Sequence, residues 1–131
     1  MKRLLTLAAL LLVALPFSTF AEDYGEAEFM TACAVCHGES GLGDGPMAGL
    51  LNIEVPGLTR LAADNGGVFP VMETLATIDG RSEVVGHGGP MPVWGDRYTT
   101  SADALGGLFD AEVIARGRLL SLVYYLEAIQ E

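Results

Sequence analysis

The chain has 131 residues, enough for one domain around one hydrophobic core. Acidic residues number 17 against seven basic ones, and the net charge of −10 excludes electrostatic binding to nucleic acid or to an anionic membrane surface. The only two cysteines, Cys33 and Cys36, lie too close in sequence to form a disulfide framework joining distant parts of a fold.

The first segment reads as a secretory leader. Lys2 and Arg3 form a positive start, Leu4 to Leu15 is an apolar run broken at Pro16, and Thr19 and Ala21 supply the small residues of a cleavage site after Ala21. The run falls short of the roughly 20 residues that cross a bilayer, so an uncleaved anchor is the lesser alternative. The expected organisation is a leader over 1–21, a single domain over 22–131 and a periplasmic location. Beyond Ala21 stand all 17 acidic residues and only five basic ones, Arg60, Arg81, Arg97, Arg116 and Arg118, for a net charge of −12 without a lysine. That surface favours a basic partner, or serves solubility alone.

The spacing predicts a first helix over Glu22–Ala34, with acids at its positive end and Gly25, Phe29 and Cys33 on one face. Gly38 to Gly57 is a long Gly/Pro-rich loop, with one helical turn at most around Met47–Leu51. Loops of that length usually wrap something or carry function. Leu58–Asp64 is a short helix capped by Thr59 and ended by Asn65-Gly66-Gly67, and Val71–Ile78 a second, closed by Asp79-Gly80, with Met72 in its core pattern. A short piece covers Ser82–Val85. His87 to Asp96 is a second Gly/Pro-rich loop, and Thr100–Phe109 is loop or a short turn. Ala111–Ile129 is the strongest helix, with Asp110 as N-cap and Leu119, Leu122, Val123, Leu126 and Ile129 as its stripe. Gly117 costs that helix about 1 kcal/mol against Ala, for which close approach by a neighbour is one explanation. No segment alternates with period two, so the fold class is all-α.

Cys33-Ala34-Val35-Cys36-His37 is a C-x-x-C-H motif. Two thiols at this spacing can form thioethers with the two vinyl groups of one haem, and the next residue sets its imidazole under the iron. A thioredoxin-like redox pair would want a strand–helix unit that is not visible, and a zinc site would need His87 as a further ligand. The iron then needs a sixth ligand. Met91, held between Pro90 and Pro92, is the leading candidate, because prolines fix the backbone of a side chain that must point one way. Met72, Met47 and His87 are the rivals, and Met30 lies too near the attachment motif.

On these features the chain resembles a class I cytochrome c, of the small monohaem bacterial kind. The resemblance rests on Gly25 and Phe29 of the first helix, Cys33 to His37, the loop Gly38–Pro56, Met91-Pro92 with Trp94, and Leu122 to Leu126 of the last helix. It implies three to five helices wrapped around one covalent haem c. It also implies close contact of the first and last helices at Gly25, Phe29 and Tyr125. The carbonyl of Pro56, or else of Pro46, would take a hydrogen bond from His37 Nδ1. Trp94 and Arg60 are candidates for the haem propionates, against core packing and solvent exposure respectively. With cofactor residues Cys33, Cys36, His37 and Met91, and iron ligands His37 and Met91, the expected function is single-electron transfer without catalysis. Redox donor and acceptor would dock transiently, with a basic surface, in a respiratory or photosynthetic-type chain, and would bring the only membrane association. The alternative is a haem subunit of a multi-component periplasmic oxidoreductase. A lysine ring around the haem edge, familiar in this family, has no counterpart here.

Overall fold

The computed structural model describes residues 19–81 and 91–131. Residues 1–18 of the expected leader (1–21), the piece Ser82–Val85, His87 and Pro90 lie outside the described residues, while residues 19–21 begin the first helix. Six α-helices follow one another: α1 (Thr19–Ala32), α2 (Ala34–His37), α3 (Leu61–Asp64), α4 (Val71–Asp79), α5 (Trp94–Gly106) and α6 (Leu108–Ala128), with a 3-10 turn at Ala48–Leu50. Among the described residues all regular structure is helical.

The last helix is the spine. Ala111, Ala115, Leu119, Leu122, Val123 and Leu126 recur at three- and four-residue steps and are all buried. α1 and α5 pack along this stripe. At the α1 crossing the backbones nearly touch: a Cβ on Gly25 would run into the Ser121 carbonyl and lie 2.8 Å from the Tyr125 Cβ. One turn on, Phe29 is fully buried with its ring centroid 5.2 Å from that of Tyr125. The Arg118 guanidinium donates twice to Glu28, at 2.6 and 3.0 Å, and pins the same crossing.

Several boundaries differ from expectation. Among the described residues the helix count is six rather than three to five, because α2 and α3 are single turns and α5 occupies a stretch expected to be largely loop. Trp94, Tyr98 and Ala102 are four residues apart, and Tyr98 and Ala102 are buried in the α5–α6 contact. Tertiary burial there outweighs a sequence rich in Thr, Ser and Asp. The first helix breaks at Cys33 and resumes as α2. Asp110 sits inside the first turn of α6 rather than capping it, and Gly107 (φ 92°) precedes that helix. Thr59 does not cap α3, since Arg60 holds that position without a side-chain bond. Met72 is 67% exposed, because α4 turns Thr74 and Ile78 inward instead. Gly117 is exposed with nothing within 4 Å of a Cβ, so no close neighbour accounts for it.

Candidate haem site

The attachment motif is one helical turn, and a helix end leaves carbonyls without partners. Here the long loop supplies them. The N–H groups of Met47, Gly45 and Gly43 donate to the carbonyls of Val35, Cys36 and His37 at 2.9, 3.1 and 2.7 Å. Gly45 has to be glycine for this approach, since a Cβ would lie 2.6 Å from the Ala34 and Val35 carbonyl oxygens. The loop thus folds back on the attachment turn and holds it rigid. No periodic signal in the sequence could reveal this, because the bonds come from backbone groups.

His37 is buried, and its Nδ1 lies 3.0 Å from the Pro56 carbonyl. A carbonyl can only accept, so Nδ1 carries a proton, and in the neutral ring the lone pair is on Nε2. This decides between the two prolines: Pro46 instead lines a surface recess beside Val35 and Gly38. The segment after Pro56 is fixed in turn. Leu58 N–H donates to Gly41 at 2.6 Å, while Gln130 donates to the Leu58 carbonyl at 2.7 Å and accepts from Ala62 N–H at 2.9 Å. The C-terminal residues therefore brace the partner of the histidine, a role the sequence analysis missed.

Two cavities, of about 290 and 240 Å³, share Cys33, His37, Pro56 and Met91 as walls. The first continues over Phe29, Leu58, Ile78, Leu122 and Leu126. The second continues over Cys36, Met47, Leu51, Val55, Pro92 and Trp94. Together they reach the ~300–1,000 Å³ of cofactor sites, with the apolar lining such sites have. Trp94 brings one open donor: its Nε1 is buried with no hydrogen-bond partner among the described residues. The structure therefore gathers Cys33, Cys36, His37, Met91 and Trp94, with Met47 on one side. Arg60 is exposed, 3.9 Å from Asp64, and lines neither cavity.

The dithiol redox reading fares worse. Burial, with smaller contributions from Glu28 and Cys36, pushes the Cys33 thiol up to about 12. A dithiol redox centre needs the opposite shift. Among the described residues no three His, Cys, Asp or Glu side chains converge to hold a metal ion. Paired thiols beside a buried imidazole with a free Nε2, a thioether, apolar walls and an unmet indole donor fit a flat, largely apolar macrocycle with an anionic edge.

Residues 22–112 match the family model described as Cytochrome c. The match takes in the attachment motif and Met91, and the chain belongs to the cytochrome c family. Motif and family are consistent with covalently bound haem c and with a small electron-transfer protein. No curated protein and no solved structure matches the chain. Among the described residues no helix is long and apolar enough to cross a membrane.

Proposed function

We propose that the protein is a periplasmic single-electron carrier. Cys33 and Cys36 would hold one haem c through thioethers, and His37 and Met91 would ligate its iron. The observation that carries this reading is that His37 and Met91 are walls of the same two cavities, beside Cys33 in both and Cys36 in one. Bound there, haem c supplies a one-electron iron couple, whose potential a methionine ligand raises.

The chain's own residues do the rest. The Pro56 carbonyl holds Nδ1 and fixes the orientation of the His37 ring. Phe29, Leu122 and Leu126 keep water from one cavity and thereby lower its local dielectric. Trp94 offers its indole N–H to an acceptor at the edge of the second cavity. With His37 and Met91 both on the iron the site would leave no room for substrate, and a catalytic role is not expected. Donor and acceptor dock transiently and present basic surfaces to this acidic chain.

The test is the optical spectrum of the exported protein beside Met91→Ala, with acid-acetone extraction. Haem stays with the polypeptide in both. The oxidised wild type has the weak far-red methionine–iron band, and Met91→Ala lacks it. A high-spin wild type without that band would remove Met91 as ligand and bring forward an open-site sensor or enzyme.

A further inference from the structure

We infer that Arg81 is a positioning residue for Met91: its guanidinium clasps together the two flanks of the segment that carries the methionine. The inference rests on the reading of Met91 as sixth ligand. The flanks are Asp79-Gly80-Arg81, at the end of α4, and Val93-Trp94-Gly95, where α5 begins.

Two glycines bring these flanks into contact. Gly80 takes a left-handed conformation (φ 67°), and a Cβ there would stand 3.4 Å from the Val93 Cα. A Cβ on Gly95 would collide with the Asp79 carboxylate and the Arg81 guanidinium. Gly95 has no positive φ, so close approach alone requires the glycine. Over this contact Arg81 uses all five of its N–H donors. Nε and Nη2 donate to the two oxygens of Asp79 at 2.5 and 3.0 Å. Nη1 and Nη2 donate to the two oxygens of Glu112 on α6 at 2.7 and 3.2 Å. Nη1 also donates to Thr99 Oγ1 on α5 at 3.2 Å, and that hydroxyl lies 2.9 Å from the Gly95 carbonyl it can donate to. One side chain joins α4, α5 and α6.

The arrangement is specific to arginine. Two bidentate carboxylate pairs need a planar fork, and an ammonium offers three donors on a point charge. The arginine is only 23% exposed, with Asp79 at 24% and Glu112 at 34%, so solvent screens the pairs less than it would at an open surface. A methionine thioether is a neutral, single-atom donor that anchors itself weakly. Its residence at an iron depends on the backbone that presents it, and Met91 stands two residues before the clasped Val93. Joining the end of α4 to the start of α5 fixes the backbone two residues from Met91. The clasp thus sets how often Met91 leaves the sixth position.

Imidazole titration of the oxidised holoprotein reads this opening directly, because imidazole binds only when Met91 is off and its apparent affinity scales with the open fraction. Arg81→Ala should raise that affinity about tenfold, through the loss of several charge-assisted hydrogen bonds. Arg81→Lys and Gly95→Ala should move it the same way, with covalent haem and helix content unchanged. Arg116→Gln, which removes a guanidinium that touches Glu112 from the other side, should leave it within about twofold of wild type. Gly25→Ala weakens the fold at the α1–α6 crossing and separates local from global effects. An equal gain there, or no gain in both Arg81→Lys and Gly95→Ala, overturns the clasp. A wild type lacking the far-red band overturns the Met91 reading and this inference with it. A wild type with the band and unresponsive variants overturns the clasp alone.

Discussion

Gly25 and Gly117 belong to the two helices that cross, yet they invite opposite substitutions. Gly25 sits where a Cβ would meet the Ser121 carbonyl, so α1 and α6 can approach only without a side chain. Gly25→Ala must push the helices apart and should cost about 1–3 kcal/mol. Gly117 has open space around it, and its backbone is ordinary helix. Gly117→Ala should stabilise the holoprotein by about 0.5–1 kcal/mol through helix propensity. Denaturant midpoints of both variants check the pair, and a stabilised Gly25→Ala would contradict the crossing geometry. At this scale the sequence is legible where the chemistry is contiguous. Cys33, Cys36 and His37 are adjacent, and their spacing alone implies attachment. The choice between Pro46 and Pro56 was not legible, because it depends on how a Gly-rich loop turns at Gly41 and Gly43, whose φ values are 72° and 83°. Met72 was misplaced for a related reason: a nine-residue helix with apolar residues on two sides does not declare which side is buried.

Between elements, the clearest electrostatic feature is the carboxylate of Glu112. Hydrogen bonds from Arg81 first, and Arg116 second, hold it at about 2, down from an ordinary 4.5. A group depressed in the folded state stabilises the fold above its unfolded value and loses that contribution as pH falls toward the folded one. The link between α4 and α6 should therefore weaken between about pH 4.5 and about pH 2. Thermal unfolding of wild type should fall more steeply across that window than that of Glu112→Gln. Parallel curves would mean that the pairing adds nothing to stability. None of this was readable beforehand, since Asp79, Arg81, Thr99 and Glu112 meet only after three helices pack. The same holds for α5. Trp94, Tyr98 and Ala102 stand four residues apart, but Gly95 and the run Thr99-Thr100-Ser101 lower the local helix propensity, so packing decides this helix. The long periodic stripe of α6, by contrast, announced itself, and its burial against α1 and α5 follows from it.

For the whole molecule, charge decides how a partner arrives. Four of the five arginines beyond Ala21 are engaged by carboxylates: Arg60 with Asp64, Arg81 with Asp79 and Glu112, Arg116 with Glu112, and Arg118 with Glu28. Arg97 lies over the Trp94 ring, 5.3 Å from its centroid. The positive charge is thus largely paired, Arg81 and Arg118 between helices and Arg60 and Arg116 with a neighbour four residues away, and the excess of 17 acidic residues over five arginines sets the outward field. Attraction to a basic redox partner acts over a Debye length that shrinks from about 30 Å at 0.01 M salt to about 8 Å at 0.15 M. The second-order rate of electron exchange with a small lysine-rich redox protein should fall about tenfold or more over that range. With an acidic partner it should rise instead, as salt screens repulsion. Stopped-flow oxidation of the reduced protein at several salt concentrations measures both slopes. A rate indifferent to salt with either partner would show that docking bypasses the acidic field. The nine residues Gly45–Ile53 carry no charge and contribute Met47 and Leu51 to the second cavity wall, and they would then be the surface on which contact is made.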